Sequence, residues 1–137
     1  MPDALLALTD LLTPNESEVR LLAGMAADAP VASAAQALLA RGVAAVLVTL
    51  GAKGCELHRA GQVPYAIAGR SMAVLDTIGA GDTFTGALAA ALARGDDLPQ
   101  AMACANAAAA LSVTGRGAIG GMPDLPQVRA LMAQVSA

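Results

Sequence analysis

Val43 to Leu50, V-A-A-V-L-V-T-L, is a continuous apolar run rich in Val, the pattern of a parallel strand covered on both faces. It stops at Gly51-Ala52-Lys53-Gly54, a loop at the strand's carboxyl end, where open α/β sheets bind ligands. A plain glycine hairpin leading into Cys55–Arg59 fits the same residues equally well. Upstream, Val31, Ala35, Leu38 and Leu39 form one stripe of a helix over Val31–Ala40, with Gly42 just past its end. Pro2–Leu8 predicts a short helix and Leu11–Thr13 a short buried strand. Thr13-Pro14-Asn15-Glu16-Ser17-Glu18 then opens a helix that continues through Val19–Gly24. Thr13 is the predicted N-cap, with Pro14 at the first helical position and Glu16 closing a capping box; Asn15 to Glu18 has the same spacing one frame later.

Downstream, Cys55–Arg59 and Gln62–Ala66 flank Ala60-Gly61, which predicts a hairpin at the sheet edge, where Pro64 is tolerated. Met72–Leu75 predicts a short strand leading to Asp76. The helix after it carries Phe84, Leu88, Ala91 and Leu92 at helical spacing, with Ala and Gly on its other faces, so it is expected to be buried nearly all round and to end at Gly95. Asp97-Leu98-Pro99-Gln100 and Asp124-Leu125-Pro126-Gln127 both read as helix starts, each Asp an N-cap with Pro in the first turn. They open an Ala-rich helix through Ala101–Thr114 and a closing helix over Leu125–Val135.

A chain of 137 residues is one domain or part of one. Its formal net charge of -3 gives no footprint for nucleic acid, and no Lys/Arg run suggests an anionic membrane surface. The hydrophobic fraction is 56%, but Ala supplies much of it, and the apolar run Ala87–Ala93 is far too short to span a bilayer. No basic-apolar-small signal peptide opens the chain. Cys55 and Cys104 have no C-x-x-C or Cys/His spacing and are expected to be reduced, buried thiols of a cytoplasmic protein. The single His58 lacks a metal-type partner nearby and is expected at the surface or at a strand end.

The candidate chemistry centres on Asp76 to Arg94, D-T-I-G-A-G-D-T-F-T-G-A-L-A-A-A-L-A-R. A Gly-rich turn running into a small, apolar helix leaves unpaired amides near Gly79, Ala80 and Gly81 that can point at a phosphate. Asp82 then falls in the first helical turn. It either caps the helix or serves as a general base, placed where an incoming hydroxyl meets a phosphoryl group. Asn106 is the one strongly polar residue inside its Ala-rich helix, and a buried amide without partners costs about 1–3 kcal/mol. It must reach a ligand or pair with backbone. Gly115 to Gly121, G-R-G-A-I-G-G, matches G-x-G-x-x-G only on paper, since it lacks the strand-turn-helix setting of a dinucleotide site. A flexible loop rich in free carbonyls, suited to a cation or a nucleotide base, fits better.

Together, T-P-N-E-S-E at Thr13–Glu18, V-T-L-G-A-K-G at Val48–Gly54, D-T-I-G-A-G-D-T-F at Asp76–Phe84 and A-N-A-A-A-A-L-S-V-T at Ala105–Thr114 resemble the ribokinase-like (PfkB) family of sugar kinases. The resemblance runs along essentially the whole chain and implies a three-layer α/β fold, truncated, with a mainly parallel sheet, an antiparallel edge hairpin and helices on both faces. It further implies phosphoryl transfer from ATP to a sugar hydroxyl, with D-ribose giving ribose 5-phosphate. Asp82 matches the family's catalytic base, and the amides of Gly79, Ala80 and Gly81 its anion hole. Asn15 and Glu18 match N-x-x-E, in which Glu acts on Mg²⁺ and phosphate largely through water. Thr49, Gly51 and Gly54 match the nucleotide loop, Lys53 adds a positive charge near the phosphates, and Asn106 matches a position beside the adenosine. Asp76 and the carbonyls of Ile78, Ser112, Gly115 and Gly117 match a monovalent-cation site, usually potassium. Gly121 stands where the family commonly has a serine contributing to that shell.

By the same resemblance, residues 1–137 are the carboxyl-terminal, ATP-binding and catalytic-base half of such a kinase domain. The sugar-gripping residues and the small β lid are not in this sequence. A homodimer, or pairing with an amino-terminal half, is therefore expected, because a bare sheet edge and an apolar face invite association. Two further readings stay open: a non-catalytic nucleotide-binding module, and a truncated structural fragment that folds by dimerising.

Overall fold

The computed structural model describes residues 1–134. Two compact units divide the chain, the first Met1–Ala66 and the second from Ile67 onward. The first opens with a single helical turn, α1 (Asp3–Leu6), which delivers Leu6 to the core. The backbone then runs extended past Leu12. The Leu12 amide donates to the Ala45 carbonyl at 3.0 Å, the Leu47 amide to Leu12 at 2.8 Å, and the Thr49 amide to Pro14 at 3.0 Å. These bonds create two parallel bridges, Leu12↔Val46 and Asn15↔Thr49.

That pairing decides where the next helix begins. Pro14 lies in the extended segment, its carbonyl taken by Thr49, so α2 (Glu16–Ala23) starts one frame later than the Thr13 reading. Asn15 is the N-cap: its side chain accepts from the Glu18 amide at 2.9 Å, and Glu18 Oε2 accepts from the Asn15 amide at 2.8 Å. Helix α3 (Val31–Ala40) buries Ala34, Ala35, Leu38 and Leu39 against Leu6, Val19, Val46 and Val48. Each fully buried Leu or Val side chain among these contributes about 1.5–3 kcal/mol.

The apolar run forms a shorter strand than its pattern predicts, β1 (Val46–Thr49). After a 3₁₀ turn at Gly51–Lys53, β2 (Gly54–His58) pairs with it antiparallel, from Val46↔His58 to Thr49↔Cys55. A third strand, β3 (Tyr65–Ala68), lies next to β2 in the order β1-β2-β3, and the boundary between the units falls within it. The parallel pairing expected of the run thus appears as the two bridges to the Leu12–Asn15 segment, while regular pairing to β2 is antiparallel. His58 ends β2 but is fully buried, not at the surface.

In the second unit, α4 (Ala80–Ala93) packs on α5 (Leu98–Ser112), and α5 on α6 (Leu125–Ala133). Both Asp-Leu-Pro-Gln starts form as expected: Asp97 and Asp124 are N-caps, each in a complete capping box with Gln100 or Gln127. Helix α4 is buried along one stripe only, Thr83, Phe84, Leu88 and Ala91. The expectation of burial all round fails because alanine and glycine, lacking bulk, need no cover; Thr85, Gly86, Ala89 and Ala90 face outward. Met72–Leu75 is not a strand. Its final residue donates to the Val113 carbonyl at 2.7 Å, at the end of α5, and among the described residues no strand extends the pairing. Val135, the expected last residue of the closing helix, lies outside the described residues.

Candidate active site

Three residues enter α4 before its backbone bonds take over. Gly79 is the N-cap in the left-handed conformation at φ 80°, and no side chain caps the helix. The Ala80 amide donates to the Thr77 carbonyl at 3.3 Å, whereas the amides of Gly79 and Gly81 have no acceptor among the described residues. The helix therefore begins with unspent N–H groups at its positive end. Asp82, the third helical residue, is exposed and makes no hydrogen bond or ion pair among the described residues. Capping, the bland alternative for this carboxylate, is not what it does.

A second set of contacts braces the loop before α4. Asp76 Oδ1 accepts from the Ile78 amide and Oδ2 from the Gly117 amide, each at 2.9 Å. Those amides, Ile78 first, hold the Asp76 carboxyl below the usual carboxylate range. Gly79 is pressed against the glycine loop: a Cβ there would stand 3.0 Å from Ala118 Cα. Residues of the Asp76–Phe84 motif and of the Gly115–Gly121 loop are thus brought together, although nothing in the sequence marks Ala118 as Gly79's neighbour.

The Gly115–Gly121 loop is more closely tied than its composition suggests. The Ser112 carbonyl accepts from Gly115 at 3.3 Å and the Gly117 carbonyl from Gly121 at 3.2 Å, each oxygen keeping a second lone pair. A Cβ on Gly121 would collide with the Ser112 carbonyl oxygen, and one on Gly120 would lie 2.6 Å from the Arg116 oxygen. The carbonyls of Ile78 and Gly115 accept no hydrogen bond among the described residues. Position 121 offers no side-chain oxygen and no room for one, and both Asp76 oxygens face N–H groups.

Asn106, 7% exposed, donates from Nδ2 to the Ala68 carbonyl at 3.0 Å, the backbone partner that its burial demanded. Thr83, beside Asp82, was not singled out by its sequence, yet its hydroxyl is buried without a partner among the described residues. Only the two neighbouring motif letters could have drawn attention to it.

In the first unit, the Asn15↔Thr49 bridge sets the N-x-x-E motif beside the end of β1, and the Gly51–Lys53 turn follows directly. Lys53 is exposed and has no ion pair among the described residues. Glu18 uses one carboxylate oxygen in the capping box and lines an open cleft of about 310 Å³ with Leu12, Thr13, Pro14, Leu21 and Leu22. A second carboxylate oxygen on an exposed side chain suits a hydrated divalent cation. Among the described residues no group of three or more His, Cys, Asp or Glu could enclose a metal directly, and no helix is long and apolar enough to cross a membrane.

The chain is similar to proteins of known activity throughout its length. It is 38% identical over 125 residues to the ribokinase of Haemophilus influenzae, covering 90% of this chain and 40% of that protein. Over 105 residues it is 45% identical to the bifunctional protein HldE of Pseudomonas putida, covering 75% of this chain and 22% of the relative. The solved structure of Arabidopsis thaliana ribokinase complexed with ribose and ATP superposes with a TM-score of 0.90 at 39% identity, over 98% of this chain and 44% of that one. The fold is therefore ribokinase-like, and the chain spans less than half the length of the relatives it matches. A family model described as pfkB family carbohydrate kinase matches residues 1–125, and the chain belongs to that family.

Proposed function

We propose that residues 1–137 supply the ATP site and the general base of a ribokinase-type sugar kinase, which transfers the γ-phosphoryl group of ATP to a hydroxyl of D-ribose, giving ribose 5-phosphate. The observation that carries this reading is the start of α4, where Gly79 and Gly81 present unspent amides and the Asp82 carboxylate stands exposed and unbonded. The Asp82 carboxylate takes the proton of the attacking hydroxyl. The new bond forms between the hydroxyl oxygen and the γ-phosphorus, while the bond from that phosphorus to the β–γ bridging oxygen breaks and ADP leaves. The amides of Gly79, Ala80 and Gly81 stabilise charge on the transferring group; Ala80 does so once its long bond to Thr77 opens.

In the first unit, Thr49, Gly51, Lys53 and Gly54 contact the nucleotide. Asn15 and Glu18 serve Mg²⁺ and phosphate, with Glu18 acting through water from its unspent oxygen. Mg²⁺, when bound, neutralises phosphate charge. In the second unit Asn106 lies beside the adenosine, held in place by Ala68. The choice of ribose rests on the likeness to two ribokinases. The proposed setting is cytoplasmic, with an amino-terminal half or a second copy completing the sugar site.

Calorimetric titration with ATP and ADP, followed by a ribose kinase assay after adding an amino-terminal ribokinase half, tests this. Saturable nucleotide binding with ribose phosphorylation supports the reading. Binding without transfer under any pairing identifies a nucleotide-binding module, and no saturable binding in an obligate oligomer identifies a structural fragment.

A further inference from the structure

We propose that Arg116 supplies a full positive charge to the terminal phosphate of ATP at the start of α4, an assignment that rests on the kinase reading and adds a residue to it. Asp82 creates the need. Its carboxylate shares a helical turn with the amides that attract the phosphate, and it repels the same group. A helix start carries only about half an elementary positive charge, less than the whole negative charge of Asp82. The amides therefore cannot offset Asp82 and the phosphate together.

The second unit's cations are Arg70, Arg94, Arg116 and Arg129. Arg70 donates to the Leu131 carbonyl at 3.0 Å, and Arg94 is committed to Asp96 at 3.2 Å and to Cys104 Sγ at 3.9 Å. Arg129 lies within α6, which packs on α5. Arg116 is exposed and has no hydrogen bond or ion pair from its side chain among the described residues. Its main chain, by contrast, is held on both sides. The Gly115 amide donates to Ser112 at 3.3 Å and the Gly117 amide to Asp76 Oδ2 at 2.9 Å.

That anchorage ties Arg116 to the helix start. Ala118, two residues on, has its Cα 3.0 Å from where a Cβ on Gly79 would stand. Two trans peptides span at most about 7.6 Å, so Arg116 Cα is within about 12 Å of Gly79 Cα. An extended arginine and a phosphate seated on the amides together cover such a span. The guanidinium keeps its charge at every working pH, and its planar fork of N–H donors matches two phosphate oxygens. It takes no part in proton transfer. It holds the equatorial oxygens of the γ-phosphoryl group while Asp82 receives the hydroxyl proton.

The test is calorimetric titration of the full chain and of Arg116→Gln with ATP and with ADP, Mg²⁺ present throughout. A contact to the terminal phosphate should cost the variant about tenfold or more in ATP affinity, the scale of losing a charged hydrogen bond, and leave ADP within about twofold. Arg116→Lys should recover part of the ATP loss, whereas Arg129→Gln, with the same change in net charge, should bind both nucleotides as the unaltered chain does. Equal ATP binding by Arg116→Gln, equal losses for ATP and ADP, or an equal loss in Arg129→Gln would each overturn the assignment and leave the kinase reading standing. Failure of the unaltered chain to bind either nucleotide would remove that reading, and Arg116 with it.

Discussion

Gly79 and Ala118 touch through a space that admits no side chain: a Cβ on Gly79 would stand 3.0 Å from the Cα of Ala118, and Gly79 sits at φ 80°. Two residues further on, Gly81 has open space around its Cβ position and no positive φ. Gly79→Ala should therefore destabilise the chain by about 1–2 kcal/mol from backbone conformation alone, before any collision. Gly81→Ala should stabilise it by about 0.5–1 kcal/mol, through helix propensity. Chemical denaturation of both variants checks this, and equal effects would show that Gly79 does not hold the left-handed conformation. If the Gly81 amide meets the phosphate, its alanine variant should nonetheless bind nucleotide more weakly.

Asp82 is exposed and unbonded among the described residues, which separates its stability role from its proposed chemical one. Asp82→Asn should shift stability by no more than about 0.5 kcal/mol, as surface substitutions do. In an assembly completed by an amino-terminal half it should lower turnover by about 10²-fold or more. Paired melting and kinase assays test both, and undiminished turnover would remove Asp82 from the mechanism.

The reciprocal bonds between Asn15 and Glu18 make Asn15, and not Thr13, the cap of α2. Asn15→Ala should cost about 0.5–2 kcal/mol, and Thr13→Ala much less. A larger loss at Thr13, read from urea denaturation, would restore the earlier helical frame.

His58 is fully buried, and its ring nitrogens have no hydrogen-bond partner among the described residues; Glu56 Oε1 lies 3.3 Å from Nε2 but outside bonding geometry. Burial lowers its pKa from 6.5, against a smaller opposing pull from the Glu56 charge. The unfolded chain then binds the proton more readily than the folded one, so stability rises with pH between the folded and unfolded values. The contribution is complete above about 6.5 and lost as pH falls through the lower, folded pKa. Denaturation midpoints collected on either side of that window should show the loss, and His58→Leu should flatten it. A profile of unchanged slope in the variant would assign the acid sensitivity to other groups.

Much of this molecule was legible locally. The capping boxes at Asp97–Gln100 and Asp124–Gln127 form where their letters stand, because a cap satisfies amides within the same turn and needs nothing distant. The glycine entry to α4, with Asp82 in its first turn, was equally plain, since a left-handed glycine and a small apolar helix are both written in adjacent residues. So was the need for Asn106 to find a partner, though not that the partner is Ala68.

Tertiary structure decided whatever depended on which backbone lies alongside. Thr13 and Asn15 offer the same capping chemistry, and only the Thr49 amide, by taking the Pro14 carbonyl, keeps the chain extended long enough for Asn15 to win. Met72–Leu75 has strand-forming letters but no strand beside it among the described residues, and a β segment without a partner has nowhere to place its hydrogen bonds. The closeness of Gly121 to Ser112 follows from the path of the folded loop, and it turns a missing serine from a lost ligand into a position with no space for one. Sequence specifies the groups that can bond within a turn or two; which of the remaining donors and acceptors meet is settled when distant segments pack.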